Sequence, residues 1–203
     1  GVTANSSRPV RSIRATLLRV TGSPCVSFRR ISVSGMLQVG SRLAVRLSSE
    51  GAILTMTDVN PAKRSLAADL DATWVEPGTE HLVASELFVP AGIGGLLTAE
   101  IISSLNTLAV VGPANNPLAE REGAAQLAAR GILYAPDFVV NAGGVIYLDV
   151  AARHAASREQ IMARVAAIGD TLRRVFDEAE ARGVTPLEAA EALAAARLNA
   201  ARA

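Results

Sequence analysis

Apolar positions along this 203-residue chain fall into short continuous runs that alternate with stripes at helical spacing. Val10, Ile13, Leu17 and Val20 mark one face of a helix over residues 10–20, with Arg on the other face, and Thr21-Gly22-Ser23-Pro24 ends it. Arg30–Ser34 predicts a strand running into Gly35, and residues 39–49 predict the helix after it, closed by Gly51. Residues 52–57 predict a second strand ending on Asp58, then a short helix over residues 61–70 with Pro61 in its first turn. Residues 87–89 and 108–111 read as buried strands separated by a helix over 98–105. A helix over 121–130, stopped by Gly131, precedes a strand at 132–134. Strands alternating with helices in this way predict βαβ units and a parallel sheet.

The last third changes character. Ser157-x-x-Gln160 and Thr185-Pro186-Leu187-Glu188 have the form of capping boxes and predict two Ala-rich helices, the first stopped by Gly183. Ile161, Val165, Ile168, Leu172, Val175 and Phe176 recur at helical spacing there. The expectation is an exposed apolar stripe that favours self-association. The fold class expected is α/β, a Rossmann-like doubly wound parallel sheet with an α-helical C-terminal extension. Residues 1–30 would be a connecting helix and linker, 31–144 the dinucleotide-binding domain and 145–203 the C-terminal helical segment.

Composition narrows the partners. Half the residues are apolar and the net charge is +1, which fits a soluble globular chain and gives no reason to expect nucleic acid. Aromatic residues are too few, at 3%, for a base-stacking platform. No apolar run approaches the roughly 20 residues of a membrane span. Cys25 is the single cysteine, so an internal disulfide and a Cys-rich metal site are excluded, and a cytoplasmic location is expected. Eight arginines precede the first acid, Glu50; an exposed Arg-rich helix face is favoured over an organellar transit segment. His81 and His154 read as solvated residues, and no nucleophile elbow or HExxH helix is present. No metal site is expected.

The chemistry concentrates in turns that follow strands. Ser34-Gly35-Met36-Leu37-Gln38-Val39-Gly40 is the first βα turn. A G-x-G-x-x-G loop uses its first Gly for the turn, its second for close approach of a pyrophosphate and its third for helix packing. Gly35 and Gly40 hold the outer positions; Leu37 holds the middle one. Asp58 stands 23 residues after Gly35, where an acid can accept bonds from adenosine ribose hydroxyls and disfavours a 2′-phosphate. The competing expectation is that Asp58 only caps the helix near Pro61. Gly112-Pro113-Ala114-Asn115-Asn116 and Asn141-Ala142-Gly143-Gly144 are turns with the donor and acceptor groups that a flat polar ligand needs. Any one of these Asn residues alone would be read as a turn former.

Together these segments closely resemble the leucine/phenylalanine/valine dehydrogenases, the branched-chain and aromatic arm of the glutamate dehydrogenase superfamily. Phe88-Val89-Pro90-Ala91-Gly92-Ile93-Gly94-Gly95 is similar to the family's Phe-Ala-Pro-Cys-Ala-x-Gly-Gly loop, with Ala91 in place of Cys. Tyr134-Ala135-Pro136-Asp137-Phe138 with Asn141-Ala142-Gly143-Gly144 resembles its most distinctive signature, and Gly112 through Asn116 its Gly-x-Ala-Asn-Asn turn. The resemblance runs from Val10 to about Arg197 and implies NAD as cofactor. It places Gly35, Met36, Leu37, Gln38, Val39 and Gly40 at the pyrophosphate, Asp58 at the adenosine ribose, and Pro90, Ala91, Asn115 and Asn141 on the nicotinamide side. It places Asn116 toward the amino-acid head and Val145 and Leu148 around its side chain. A short-chain dehydrogenase, which also has Asn-Ala-Gly after a strand, would need a Tyr-x-x-x-Lys pair that this sequence lacks.

The reaction that the resemblance implies is oxidative deamination of a branched-chain or aromatic L-amino acid to its 2-oxo acid. In the family two lysines and an Asp perform the proton transfer and hold the carboxylate, and they lie in an N-terminal domain. Lys63 is the single lysine here and is expected on the surface, so no catalytic residue is assigned to this chain. The expected partners are a small amino acid or 2-oxo acid and either further copies of the chain or a separate catalytic domain. The alternatives are a dinucleotide-binding module without catalysis, or a structural partner of a full-length paralogue.

Overall fold

The computed structural model describes residues 29–153 and 157–202; the helix expected over residues 10–20, its turn at 21–24, Cys25 and His154 lie outside them. Six parallel strands form one sheet: β1 (Arg30–Ser34), β2 (Ile53–Thr57), β3 (Thr73–Trp74), β4 (Leu87–Pro90), β5 (Ala109–Val110) and β6 (Leu133–Tyr134), in the order β3-β2-β1-β4-β5-β6. Ile31 lies opposite both Leu54 and Leu87, which makes β1 the central strand. After its first residue every position of β1 is buried, as expected for a strand covered on both faces.

The crossovers follow from local sequence. Helix α1 (Gln38–Ser49) carries β1 to β2 and buries Gly40 and Ala44. A 3-10 turn (Pro61–Lys63), whose N-cap Asn60 accepts from the Ala62 N–H at 3.0 Å, runs into α2 (Arg64–Asp69). Helix α3 (Ala99–Ser104), capped by Thr98, and α4 (Gly123–Ala129) carry the chain through β5 to β6. After β6 come α5 (Asp137–Val140), α6 (Gly143–Arg153), α7 (Arg158–Ala166), α8 (Ile168–Arg182) and α9 (Pro186–Ala200). The predicted capping boxes form at Ser157 and Thr185, and Gly183 closes α8 in the left-handed conformation at φ +65°.

Three differences from the sequence expectation have physical causes. Strand β3 has no counterpart among the expected elements: its two residues are too few to show a period. The single helix expected between Ser157 and Gly183 is two, broken at Ala167 just before Gly169, a residue that favours continuing a helix least after proline. The apolar stripe is largely covered. Val175 and Phe176 are buried with Ala109, Leu133 and Val139, and Leu172 packs against the same cluster. Burying side chains of this size contributes about 1.5–3 kcal/mol each. Exposed large apolar residues of this region include Val145, Tyr147 and Leu148 on α6, with Phe138, Met162 and Leu198.

Candidate functional site

The strand order reverses between β1 and β4, so the loops that leave their C-terminal ends diverge and open a crevice. Glycines let those loops interlock. Gly35 has φ +99°, and a Cβ on it would lie 2.5 Å from the Gly92 nitrogen. One on Gly40 would lie 2.2 Å from the Gly35 carbonyl oxygen. The Ala91 N–H donates to the Ser34 carbonyl at 2.8 Å, which ties the β4 loop to β1. The β5 loop joins through the Ala114 N–H, which donates to the Pro90 carbonyl at 3.0 Å.

Beside Gly35 lies a cavity of about 280 Å³ with walls that include Leu37, Asp58, Val59, Glu80, Ile93 and Leu96. Both Asp58 oxygens are held by backbone: Oδ2 accepts from the Met36 N–H and Oδ1 from the Asn60 N–H, the latter at 2.8 Å. Asn60, rather than Asp58, caps the turn at Pro61. Asp58 therefore anchors the Gly35 loop to the end of β2 while its carboxylate lines the cavity. Glu80 is 3% exposed; its Oε1 accepts from Ser34 Oγ at 2.7 Å and its Oε2 from the Gly78 N–H at 2.7 Å. A second cavity, of about 260 Å³, lies among Phe138, Ile146, Ile168 and Leu193 and contains none of the site residues expected from sequence.

The two Asn-rich turns meet. Asn141 Nδ2 donates to Asn115 Oδ1 at 2.6 Å. Asn116, with φ +48°, donates its N–H to Asp137 Oδ2 at 2.8 Å and accepts from the Gly95 N–H at 2.8 Å. The Tyr134 hydroxyl donates to Asp137 Oδ1 at 3.3 Å. Burial pushes the Tyr134 hydroxyl well above its usual pKa, and the Asp137 charge adds to the effect. Tyr134 therefore stays protonated and remains a donor.

Gly35, Asp58, Pro90, Asn115 and Asn141 all lie toward the C-terminal side of the sheet, though Pro90 is the last residue of β4 and Asn141 ends α5. Met36 contributes backbone alone, because its side chain is fully buried. Leu37 is the N-cap of α1, a residue 58% exposed that lines the cavity; Gln38 and Val39 are exposed and Gly40 is buried. The Ala91 side chain belongs to the core behind the loop. Asn116, Val145 and Leu148 are exposed, and Val145 and Leu148 share α6. Sequence reasoning missed Glu80, which no spacing ties to Ser34, and Asp137, which was in plain view within the Tyr-Ala-Pro-Asp-Phe motif. Among the described residues no group of three His, Cys, Asp or Glu is placed to hold a metal ion, and no helix is long and apolar enough to cross a membrane.

Fold and loops define a Rossmann-like α/β unit. The chain belongs to the glutamate/leucine/phenylalanine/valine dehydrogenase family, whose model matches residues 62–203. It is 36% identical over 95% of its length to valine dehydrogenase of Streptomyces albus and 31% identical over 93% to phenylalanine dehydrogenase of Bacillus thermotolerans, covering 54% and 50% of those proteins. The chain thus spans about half the length of the curated relatives it matches. The crystal structure of L-tryptophan dehydrogenase from Nostoc punctiforme superposes with a TM-score of 0.83 at 32% identity, over 96% of this chain and 59% of that one.

Proposed function

We propose that this chain is the coenzyme-binding part of an NAD-dependent amino-acid dehydrogenase that converts a branched-chain or aromatic L-amino acid, with water, to the 2-oxo acid and ammonium. NAD supplies the hydride acceptor when bound. The observation that carries the reading is the assembly of Gly35, Asp58, Pro90, Asn115 and Asn141 along one edge of a sheet in a chain of this family. Asp58 would accept the adenosine ribose hydroxyls, and a 2′-phosphate there would meet its negative charge. Asn115 and Asn141 would hold the nicotinamide end and Asn116 the amino-acid head. The exposed Val145 and Leu148 would line the side-chain pocket. An apolar lining suits valine, leucine or phenylalanine and leaves a glutamate carboxylate unpaired.

Proton transfer is the part this chain does not provide. The site contains Asp58, Glu80 and Asp137, each engaged by backbone or hydroxyl donors, and no lysine. A second reading, a nucleotide-binding module without catalysis, is favoured by Leu37 at the position where the fingerprint has glycine. Hydrogen exchange with saturating NAD tests the coenzyme assignment. Slowed exchange at residues 35–40 and 112–116 is expected; unchanged exchange in both segments overturns it. Assays with valine, leucine or phenylalanine test the division of labour. Positioned acid–base catalysis is worth about 10²–10⁴-fold, so the chain alone is expected to show no turnover, and turnover would overturn the assignment of proton transfer to another domain.

A further inference from the structure

The cavity beside Gly35 is small and its side chains offer acceptors only. Pockets for drug-sized ligands run to roughly 300–1,000 Å³, so about 280 Å³ suits one nucleoside better than a dinucleotide. Both hydroxyl protons in the lining are already engaged: Ser34 Oγ donates to Glu80, and Thr57 Oγ1 donates to the Val75 carbonyl at 2.9 Å. Asp58 and Glu80 add two carboxylates. Lys63, whose Nζ reaches Ser41 Oγ at 3.4 Å, does not line the cavity. A ligand there must bring donors and should not bring negative charge.

The exit toward the helix is the second constraint. A pyrophosphate in a Rossmann-like fold sits at the N-terminus of the first helix, against its free N–H groups. Here Leu37 is the residue at that N-cap, and its exposed isobutyl group forms part of the cavity wall. The neighbouring Met36 N–H is already given to Asp58. The glycines on either side leave no space for a side chain: a Cβ on Gly35 would lie 2.5 Å from the Gly92 nitrogen, and one on Gly40 2.2 Å from the Gly35 carbonyl oxygen.

The geometry points to an inverted ligand preference: this cavity takes an uncharged adenine nucleoside at least as tightly as it takes NAD. The ribose hydroxyls and the ring amino group supply donors for the remaining acceptor capacity of the Asp58 and Glu80 carboxylates, whose oxygens each accept one bond already. Val59, Ile93 and Leu96 supply apolar surface for the ring. The inference rests on the reading that this cavity is the adenosine end of the coenzyme site, and it departs from that reading at the phosphates.

Calorimetric titration of the full chain and of Leu37→Gly with adenosine, 5′-AMP and NAD tests it. For the native chain, affinity should fall from adenosine to 5′-AMP and should be no greater for NAD than for adenosine. Leu37→Gly should raise NAD affinity relative to adenosine by about 5- to 150-fold, the range of ordinary overpacking costs; because Leu37 is part of the cavity wall, the ratio of the two affinities is the readout. Leu37→Ala, which keeps a Cβ and the N-cap backbone, should move NAD in the same direction by less. NAD binding tighter than adenosine to the native chain overturns the inference and leaves the coenzyme site standing. So does a ratio of the two affinities that neither substitution changes. Absence of binding by adenosine and NAD to all three proteins overturns the coenzyme site itself, and the inference with it.

Discussion

The Asn141 amide nitrogen donates to the Asn115 amide oxygen at 2.6 Å, joining two turns 26 residues apart. The bond leaves the Asn115 amino group and the Asn141 carbonyl oxygen as the remaining ends of the pair. Together they present a donor group and an acceptor group, the complement of a carboxamide. Asn115 is exposed and Asn141 half-buried, so the pair is accessible to a ligand.

For Asn141→Ala, the loss in stability should be small, because a hydrogen bond at an exposed site is worth about 0.5–1.5 kcal/mol net and water can replace it. The ligand response should change more: protection of residues 112–116 by NAD is expected to disappear. Denaturant unfolding paired with hydrogen exchange separates the two effects. A large stability loss with ligand protection intact would make the pair a structural clasp.

Asp58→Asn should do both kinds of damage. An Asn has one acceptor oxygen, so one of the N–H groups of Met36 and Asn60 loses its partner and faces an amide donor. Leaving a buried donor unsatisfied costs about 1–3 kcal/mol. Removing the charge should also raise NADP affinity relative to NAD. Unfolding curves and competitive titration with the two coenzymes measure these effects, and an unchanged NADP-to-NAD ratio would remove Asp58 from coenzyme discrimination.

Two helical glycines should respond oppositely to alanine. Gly40 lies in α1 with the Gly35 carbonyl 2.2 Å from where a Cβ would be, so Gly40→Ala must displace the loop. A cost of about 1–3 kcal/mol or more is expected. Gly144 lies in α6 with nothing within 4 Å of that position, so Gly144→Ala should stabilise the helix by about 0.5–1 kcal/mol. Thermal unfolding gives both signs, and a stabilising Gly40→Ala would mean that the loop is not held as described.

Acid should loosen the start of α9 before the sheet. The Glu188 carboxyl lies below the usual carboxylate range because it accepts from the Thr185 N–H and also from the Thr185 hydroxyl, both at 2.8 Å. A carboxyl whose pKa is lower folded than unfolded stabilises the fold above its unfolded pKa. That contribution fades as pH falls through the lower, folded value. Exchange of the first α9 amides should therefore accelerate in this acidic window. Glu188→Gln, which preserves a capping box, should remove that pH dependence while keeping the helix. Thr185→Ala should cost about 0.5–2 kcal/mol at neutral pH, and less once Glu188 is protonated, because the hydroxyl also donates to that carboxylate. A native-like acid response in Glu188→Gln would trace the effect to another group.

Local pattern alone determined the alternation of strands and helices, the βα turn at Gly35, the acid that ends β2, and the caps at Ser157, Thr185 and Gly183. Each depends on a few adjacent residues and so leaves a signature within one window of sequence. Tertiary structure decided what each side chain faces. Leu172, Val175 and Phe176 read as part of an exposed stripe, yet Val175 and Phe176 are buried against residues of β5 and β6 and Leu172 packs beside them. Ala91 sits at a motif position, yet its side chain packs into the core. Glu80 meets Ser34 across 46 residues, and Asp137 meets Asn116 across 21. A periodic stripe states only that a face wants cover, and a turn states only that the chain reverses. Which face is covered, and which carboxylate closes which cavity, depends on contacts between segments far apart in sequence, which the six-stranded order alone brings together.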